Sequence, residues 1–330
     1  MKNAISKRIQ ALSESQTIAM SQRSAELKAE GKDIINLSVG QPDFPTPDHI
    51  KEAGIQAIRD NYTSYTPVPG YKELREAIAE KLKKENNLDY SFDQIVVSAG
   101  AKHSLANALL SIVNPGEEVI VPAPYWVSYV EQVKLAEGKS VVVPTKLSNQ
   151  FKITPQQLKE AITPKTKALM LCSPSNPTGS IYSQEELKEI AEILAASEND
   201  IYVISDEIYE YINFEGKHES IAQFDLIKDK TIIINGVSKG YAMTGWRIGY
   251  MAAPKEIAAA CAKLQGQVTS GACSIAQRAS LTAITAENHF AREMNQAFKR
   301  RRDLVLEGLK QIKGMQIYTP QGAFYLFPDV

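Results

Sequence analysis

Cysteine is scarce in this chain. Only Cys172, Cys261 and Cys273 occur among 330 residues, and their spacing suggests no pairs. That excludes a disulfide scaffold and fits a reduced compartment with the thiols packed in the core. Net charge is nearly absent too, at −1 with a sequence pI near 6.5. Such a chain has no basic field to attract nucleic acid or an anionic membrane. The longest basic run, Lys299–Arg302, lies in a helix-like segment and reads as a solvated helix face. No apolar run approaches the ~20 residues of a membrane span. The opening MKNAISKRIQALSESQ lacks the apolar core of a signal peptide. A cytoplasmic location is the expectation, with neither membrane nor nucleic acid as partner. Asn61-Tyr62-Thr63 matches a glycosylation sequon, which without a secretory signal reads as chance. Internal repeats and low-complexity segments are missing as well, and no metal-ligand set is expected.

What is present is an alternating rhythm. Hydrophobic residues make up 44% and charged residues 23%, near the globular average. A length of 330 residues suits one large α/β domain and a smaller one. Apolar runs at 94–100, 117–124, 139–145, 167–174, 200–207, 230–239 and 247–254 read as strands. They are continuous rather than alternating, as expected where helices cover both faces of a sheet. Helical patterns at 102–112, 125–136, 184–197 and 254–265 fall between most of them. The expectation is an α/β fold with a mainly parallel seven-stranded sheet flanked by helices. Residues 1–44 would form an N-terminal arm, 45–310 the large domain and 311–330 the start of a smaller second domain. Sheets of this kind bind ligands at the carboxyl ends of their strands.

The unusual residues collect at those ends. Lys239 follows a buried strand and offers an amine that can condense with an aldehyde. Ser238 and Arg247 offer donors suited to a phosphate. Gly100-Ala101-Lys102 opens a helix whose free amides suit the same phosphate. Asp206 ends another buried strand and needs a cationic partner. Tyr209, Asn176 and Trp126 bring a phenol, an amide and a flat apolar face. Taken singly, each has an ordinary explanation. A strand-end lysine is usually solvated, and an aspartate after a strand usually caps a helix. SPSNPTG would pass for a turn, and Trp126 for core. Taken together they describe one flat ring bearing an aldehyde, a phosphate, a protonatable nitrogen and a phenolic oxygen. That ring is pyridoxal 5′-phosphate.

The motifs NLSVGQPDFPTP (36–47), YTPVPGYKELREAIA (65–79), SPSNPTG (173–179), SDEIYE (205–210), SKGYAMTGWRIGY (238–250) and QGAFYLFPD (321–329) come in a telling order. With them the chain resembles the class I/II aminotransferases of the pyridoxal-phosphate fold type I, in the aspartate aminotransferase superfamily. The resemblance implies that Lys239 carries the cofactor and moves the substrate proton. It implies Asp206 on the pyridine nitrogen, Tyr209 and Asn176 on the phenolic oxygen, and Trp126 stacked on the ring. Ser238, Arg247 and the amides of Ala101 and Lys102 would hold the phosphate. Tyr65, with Thr269 and Ser270, would reach the phosphate of a neighbouring subunit in a homodimer. Gly40 would lie over the substrate carboxylate, with Trp126 and Asn176 also facing the substrate.

For the substrate, the resemblance implies an L-amino acid and a 2-oxo acid. Lys102 is the candidate partner of a distal carboxylate, which makes aspartate or glutamate the first choice. Aromatic or broad specificity, or β-elimination on the same fold, are the alternatives. Ser13 stands where relatives that also accept prephenate carry a lysine, which counts against that activity. The resemblance further implies a continuation beyond PQGAFYLFPDV that carries the arginine for the substrate α-carboxylate. The 330 residues would then form a cofactor site with an incomplete substrate site and small domain, or a cofactor-binding form without turnover. Arg292 and Arg300–Arg302 lie in the preceding helix and are poor substitutes on this reading. The segment AFYLF is expected to be an unpaired strand with an open edge. A non-catalytic effector-binding module is a further alternative, disfavoured because the arm holds no basic recognition helix.

Overall fold

The structure is a computed structural model and describes residues 4–14 and 16–330. Helices α1 (Lys7–Gln10) and α2 (Gln16–Ala29) precede an irregular stretch, followed by α3 (Asp48–Arg59) and α4 (Lys72–Asn86). The alternating part runs β1 (Ile95–Ser98), α5 (Ala101–Ile112), β2 (Glu118–Ala123), α6 (Ser128–Leu135), β3 (Lys139–Pro144), α7 (Pro155–Ala161) and β4 (Thr166–Cys172). It continues through α8 (Gln184–Ala195), β5 (Tyr202–Asp206), β6 (Thr231–Gly236) and β7 (Gly249–Ala252). Helices α9 (Lys255–Val268), α10 (Ser274–Thr285) and α11 (His289–Lys310) lead to the short pair β8 (Gln316–Ile317) and β9 (Pro328–Asp329).

All seven expected strands join one sheet, in the order β1-β7-β6-β5-β4-β2-β3. Neighbours from β6 to β3 pair in parallel, while β7 runs antiparallel to both β6 and β1. Both faces are covered, so successive residues of one strand enter different cores. Ile95 and Val97 pack with α3, α4 and α10, whereas Val96 packs with α5 and α9. Local signals support the flanking helices. Ser183 and Glu186 form a reciprocal cap at the start of α8. Ile50, Gly54 and Ala57 place one buried stripe along α3 at helical spacing.

Register gathers the strand ends. Cys172 lies opposite Asp206, and Asp206 opposite Ile234. Gly249 lies between Ser98 and Gly236. The start of β7 therefore shares an edge with the carboxyl ends of β1 and β6.

Two expectations need correction. Residues 323–327 are not a strand with an open edge. Ala323 takes a φ of +55°, a conformation that breaks an extended run, and its amide bonds the Ile212 carbonyl at 2.7 Å. The segment consequently folds inward, and Phe324 and Tyr325 pack on Tyr209. Nor are all three thiols core residues, since Cys261 is buried, Cys172 is half-buried and Cys273 is exposed.

A buried ion pair fastens α4 to the turn after β5. Lys81 and Asn86 both donate to the Glu210 carboxylate, and all three are at most 7% exposed. Burial opposes ionisation of Glu210, but Lys81 and its other partners hold its pKa below the usual value. Removing one partner leaves an uncompensated buried charge. Lys81→Met should therefore lower unfolding stability by about 3–5 kcal/mol, read from urea midpoints. The double variant with Glu210→Met should recover most of that loss.

Candidate active site

The carboxyl edge of the sheet opens into a cleft of about 1110 Å³. Gly40, Ala101, Lys102, Trp126, Asn176, Asp206, Tyr209, Ser238, Lys239 and Arg247 all line it. Tyr65, Thr269 and Ser270 do not. Tyr65 is 98% exposed on the surface.

Asp206 is the last residue of β5, where alternation sends neighbouring side chains to opposite sides. Its carboxylate enters the cleft. Glu207 instead turns to a separate buried network of Ser205, His218 and Ser220. Tyr129 donates to Asp206 Oδ2 at 2.8 Å, and the Ile208 amide donates to Oδ1 at 3.2 Å. Burial nonetheless pushes the Asp206 carboxyl up to about 6, against the pull of those two bonds.

Lys239 stands in the turn after β6, and its Nζ donates to the Gly40 carbonyl at 2.6 Å. Burial pushes its amine down to about 8, opposed by the Asp206 charge and assisted by Arg247. Nζ lies 5.7 Å from the centre of the Tyr209 ring and 5.8 Å from that of Phe324. Burial also drives the Tyr209 phenol well above its ordinary pKa. Trp126 forms a wall, edge-on to Tyr129 with ring centres 5.5 Å apart. The Lys102 ammonium lies 4.7 Å over the Trp126 ring. Burial, then the nearby Arg247, lower the Lys102 pKa.

The start of α5 forms a cup. Gly100 has a φ of +88°, which turns the chain from β1 into the helix. The amides of Ala101 and Lys102 have no partner among the described residues. Arg247 lies beside them, donating to Thr244 O at 2.9 Å and Ala99 O at 3.3 Å. The approach leaves no room for side chains at two positions. A Cβ on Gly100 would sit 2.2 Å from Arg247 Nη2, and one on Gly249 would sit 2.1 Å from the Ala101 nitrogen. Free amides, a helix dipole and a guanidinium together make an anion site.

Sequence reasoning did not single out Tyr129, Phe324 or Tyr325. A signal existed for Tyr129, which follows Trp126 at helical spacing. The other two reach the cleft through the inward fold at Ala323. The basic run of α11 is largely the solvated face expected, with Lys299, Arg300 and Arg301 exposed, but Arg301 and the half-buried Arg302 also line the cleft. Both are already engaged. Arg301 pairs with Asp43 at 2.7 Å, and Arg302 holds Asp303 and the Pro320 carbonyl. Among the described residues, no group of side chains is arranged to hold a metal ion, and no helix is long and apolar enough to cross a membrane.

The family profile of aminotransferase class I and II matches residues 32–330. The chain belongs to the class I and II aminotransferases. This family depends in general on pyridoxal phosphate. An aspartate aminotransferase of Geobacillus stearothermophilus is 47% identical over 98% of this chain and 83% of its own length. A bifunctional aspartate aminotransferase and glutamate/aspartate-prephenate aminotransferase of Petunia hybrida is 46% identical, over 99% of this chain and 69% of its own. The structure of the Thermus thermophilus aspartate aminotransferase with maleate superposes with a TM-score of 0.95 at 43% identity, covering 99% of this chain and 85% of that one. Burial brings the Lys239 amine closer to neutrality near pH 7 than an ordinary lysine.

The titration of Lys239 is open to measurement. Only a neutral amine reacts with an acylating reagent, so modification of Lys239 should rise with pH about a midpoint near 8. Ordinary lysines titrate near ~10.4. Peptide mass mapping across pH separates the two. Asp206→Asn should move the Lys239 midpoint lower still, because the Asp206 charge favours the ammonium. A midpoint of ordinary value would contradict the burial argument.

Proposed function

We propose that the chain transfers the amino group of aspartate or glutamate to a 2-oxo acid, with pyridoxal 5′-phosphate held in the cleft. The observation that carries this reading is one cleft holding an anion cup, a buried carboxylate and a lysine amine lowered to about 8. The donor set fits the cofactor. The unpartnered amides of Ala101 and Lys102, with Ser238 and Arg247, suit its phosphate. Asp206 suits a protonated ring nitrogen, which would supply the cation its buried position lacks. Tyr209 and Asn176 suit the ring oxygen, and Trp126 suits the ring face.

When bound, the cofactor supplies the electron sink for the charge left at the amino acid Cα. Lys239 would hold the cofactor through its aldehyde, and its Nζ is the group that would take up and return the Cα proton. Gly40 offers its backbone to the substrate carboxylate. Lys102 lies at the Trp126 wall, where a distal carboxylate would complete its charge. The superposable Thermus enzyme was solved with maleate, itself a dicarboxylate, which supports the acidic substrate.

A homodimer is part of the same reading. Gln277 donates to Thr66 Oγ1 at 3.3 Å and to Ala272 O at 2.8 Å, tying the loop of Tyr65 to the loop that follows Thr269 and Ser270. Tyr65 and Thr269 are exposed beside this tie, which would carry Tyr65 into the site of a second copy. The division into an arm (1–44), a large domain (45–310) and the start of a small domain (311–330), and a cytoplasmic location, belong to this proposal too.

Borohydride treatment with added pyridoxal phosphate should fix the cofactor on Lys239, and Lys239→Ala should abolish the adduct. Aspartate and glutamate should convert the bound cofactor to its amine form faster than tyrosine or phenylalanine does. Lys102→Ala should lower kcat/KM for aspartate by about tenfold to a hundredfold, the size of a charge-assisted hydrogen bond. It should leave alanine as a donor unaffected. Release of pyruvate and ammonia would instead indicate β-elimination, and no adduct at Lys239 would defeat the proposal.

A further inference from the structure

The Tyr209 hydroxyl points at a second phenol. Tyr325 Oη is its hydrogen-bond partner, and the two rings meet edge-on with centres 5.7 Å apart. The same Tyr325 oxygen faces the arm, because a Cβ built on Gly40 would fall 2.3 Å from it. Gly40 in turn accepts the Lys239 bond at 2.6 Å. One hydroxyl thus touches the group suited to the cofactor oxygen and the backbone that meets the lysine. Tyr325 is held there by Ala323, whose positive φ turns the chain inward, and by contact with Phe324.

We propose that Tyr325 is a positioning residue that orients the Tyr209 hydroxyl and fixes Gly40 over the site. The proposal rests on the reading of the cleft as a pyridoxal-phosphate site. Each phenol has one proton to donate. If Tyr325 donates to Tyr209 Oη, the Tyr209 proton is left free for the ring oxygen of the cofactor. Donation into Tyr209 also polarises that phenol and strengthens its outward bond, by roughly 10–30% for such chains. A firmer bond to the ring oxygen withdraws negative charge from it. That charge is what holds a proton on the nitrogen joining Lys239 to the cofactor. The Tyr325–Tyr209 chain therefore lowers the pH at which this proton leaves. The other titratable groups facing the pair are Asp206 on β5, Cys172 at the end of β4 and Lys239. None of them is altered by removing the Tyr325 hydroxyl.

The wild-type protein is first loaded with pyridoxal phosphate and its absorbance titrated against pH. Failure to take up cofactor at Lys239 would defeat the functional reading itself, before any variant is compared. With uptake established, Tyr325→Phe should shift the absorbance midpoint upward by a few tenths of a pH unit. Tyr209→Phe should shift it further in the same direction, and adding Tyr325→Phe to Tyr209→Phe should change nothing more. The acylation midpoint of Lys239 in the cofactor-free protein should stay near 8 in Tyr325→Phe, which reports an intact site. An unchanged absorbance midpoint in Tyr325→Phe would overturn the proposal while leaving the functional reading in place. A cofactor-free check uses stability. Gly40→Ala should destabilise the fold through the clash with Tyr325, and Tyr325→Phe should relieve it. An equal loss in both backgrounds would overturn the Gly40 half of the proposal.

Discussion

The site depends on a buried carboxylate and a half-buried amine that do not pair with each other. Asp206 and Lys239 share one cleft, yet each bonds elsewhere, to Tyr129 and to the Gly40 carbonyl. Both charges are costly there, so burial pushes the carboxyl up to about 6 and the amine down to about 8. A direct ion pair would have relieved both and left nothing for a ligand to do. Keeping them apart preserves an unmet demand for a cation at one point and a carbonyl at another. On the proposed reading, a flat molecule with both features, anchored by its phosphate, would satisfy the demand in one event.

The anchoring is a matter of backbone approach. The cup exists because β7 passes so close to the first turn of α5 that neither Gly100 nor Gly249 has room for a Cβ. Two free amides then lie beside a guanidinium that is held by carbonyls rather than by a carboxylate. A carboxylate partner would have consumed its charge. Arg301 is the contrast, since its pair with Asp43 spends the charge on holding the arm against α11.

Much of this was legible in the chain. Continuous apolar runs marked all seven strands, because a sheet covered on both faces needs apolar side chains on both. The residues at the strand ends stood out because charged and amide groups beside buried strands need a reason to be there. Nine of the residues singled out in this way meet in one cleft. What stayed hidden was set by tertiary approach. Tyr325 is distant from Tyr209 along the chain, and only the turn at Ala323 brings their hydroxyls together. The strand expected at AFYLF failed for the same reason, since composition favoured an extended run and one backbone angle overruled it. The arginines of α11 were read from their helix alone, without the cleft that the arm and the C-terminal segment build beside it.

The reversed direction of β7 has a consequence for how such a site can change over generations. Because β6 ends at the ligand edge and β7 begins at it, the chain between them departs from and returns to the same rim. A parallel neighbour would have carried the chain to the far edge first. Lys239 and Arg247 therefore ride on a single closed loop and are inherited as one cassette. A residue inserted between these two would shift the Lys239 amine relative to the Arg247 guanidinium.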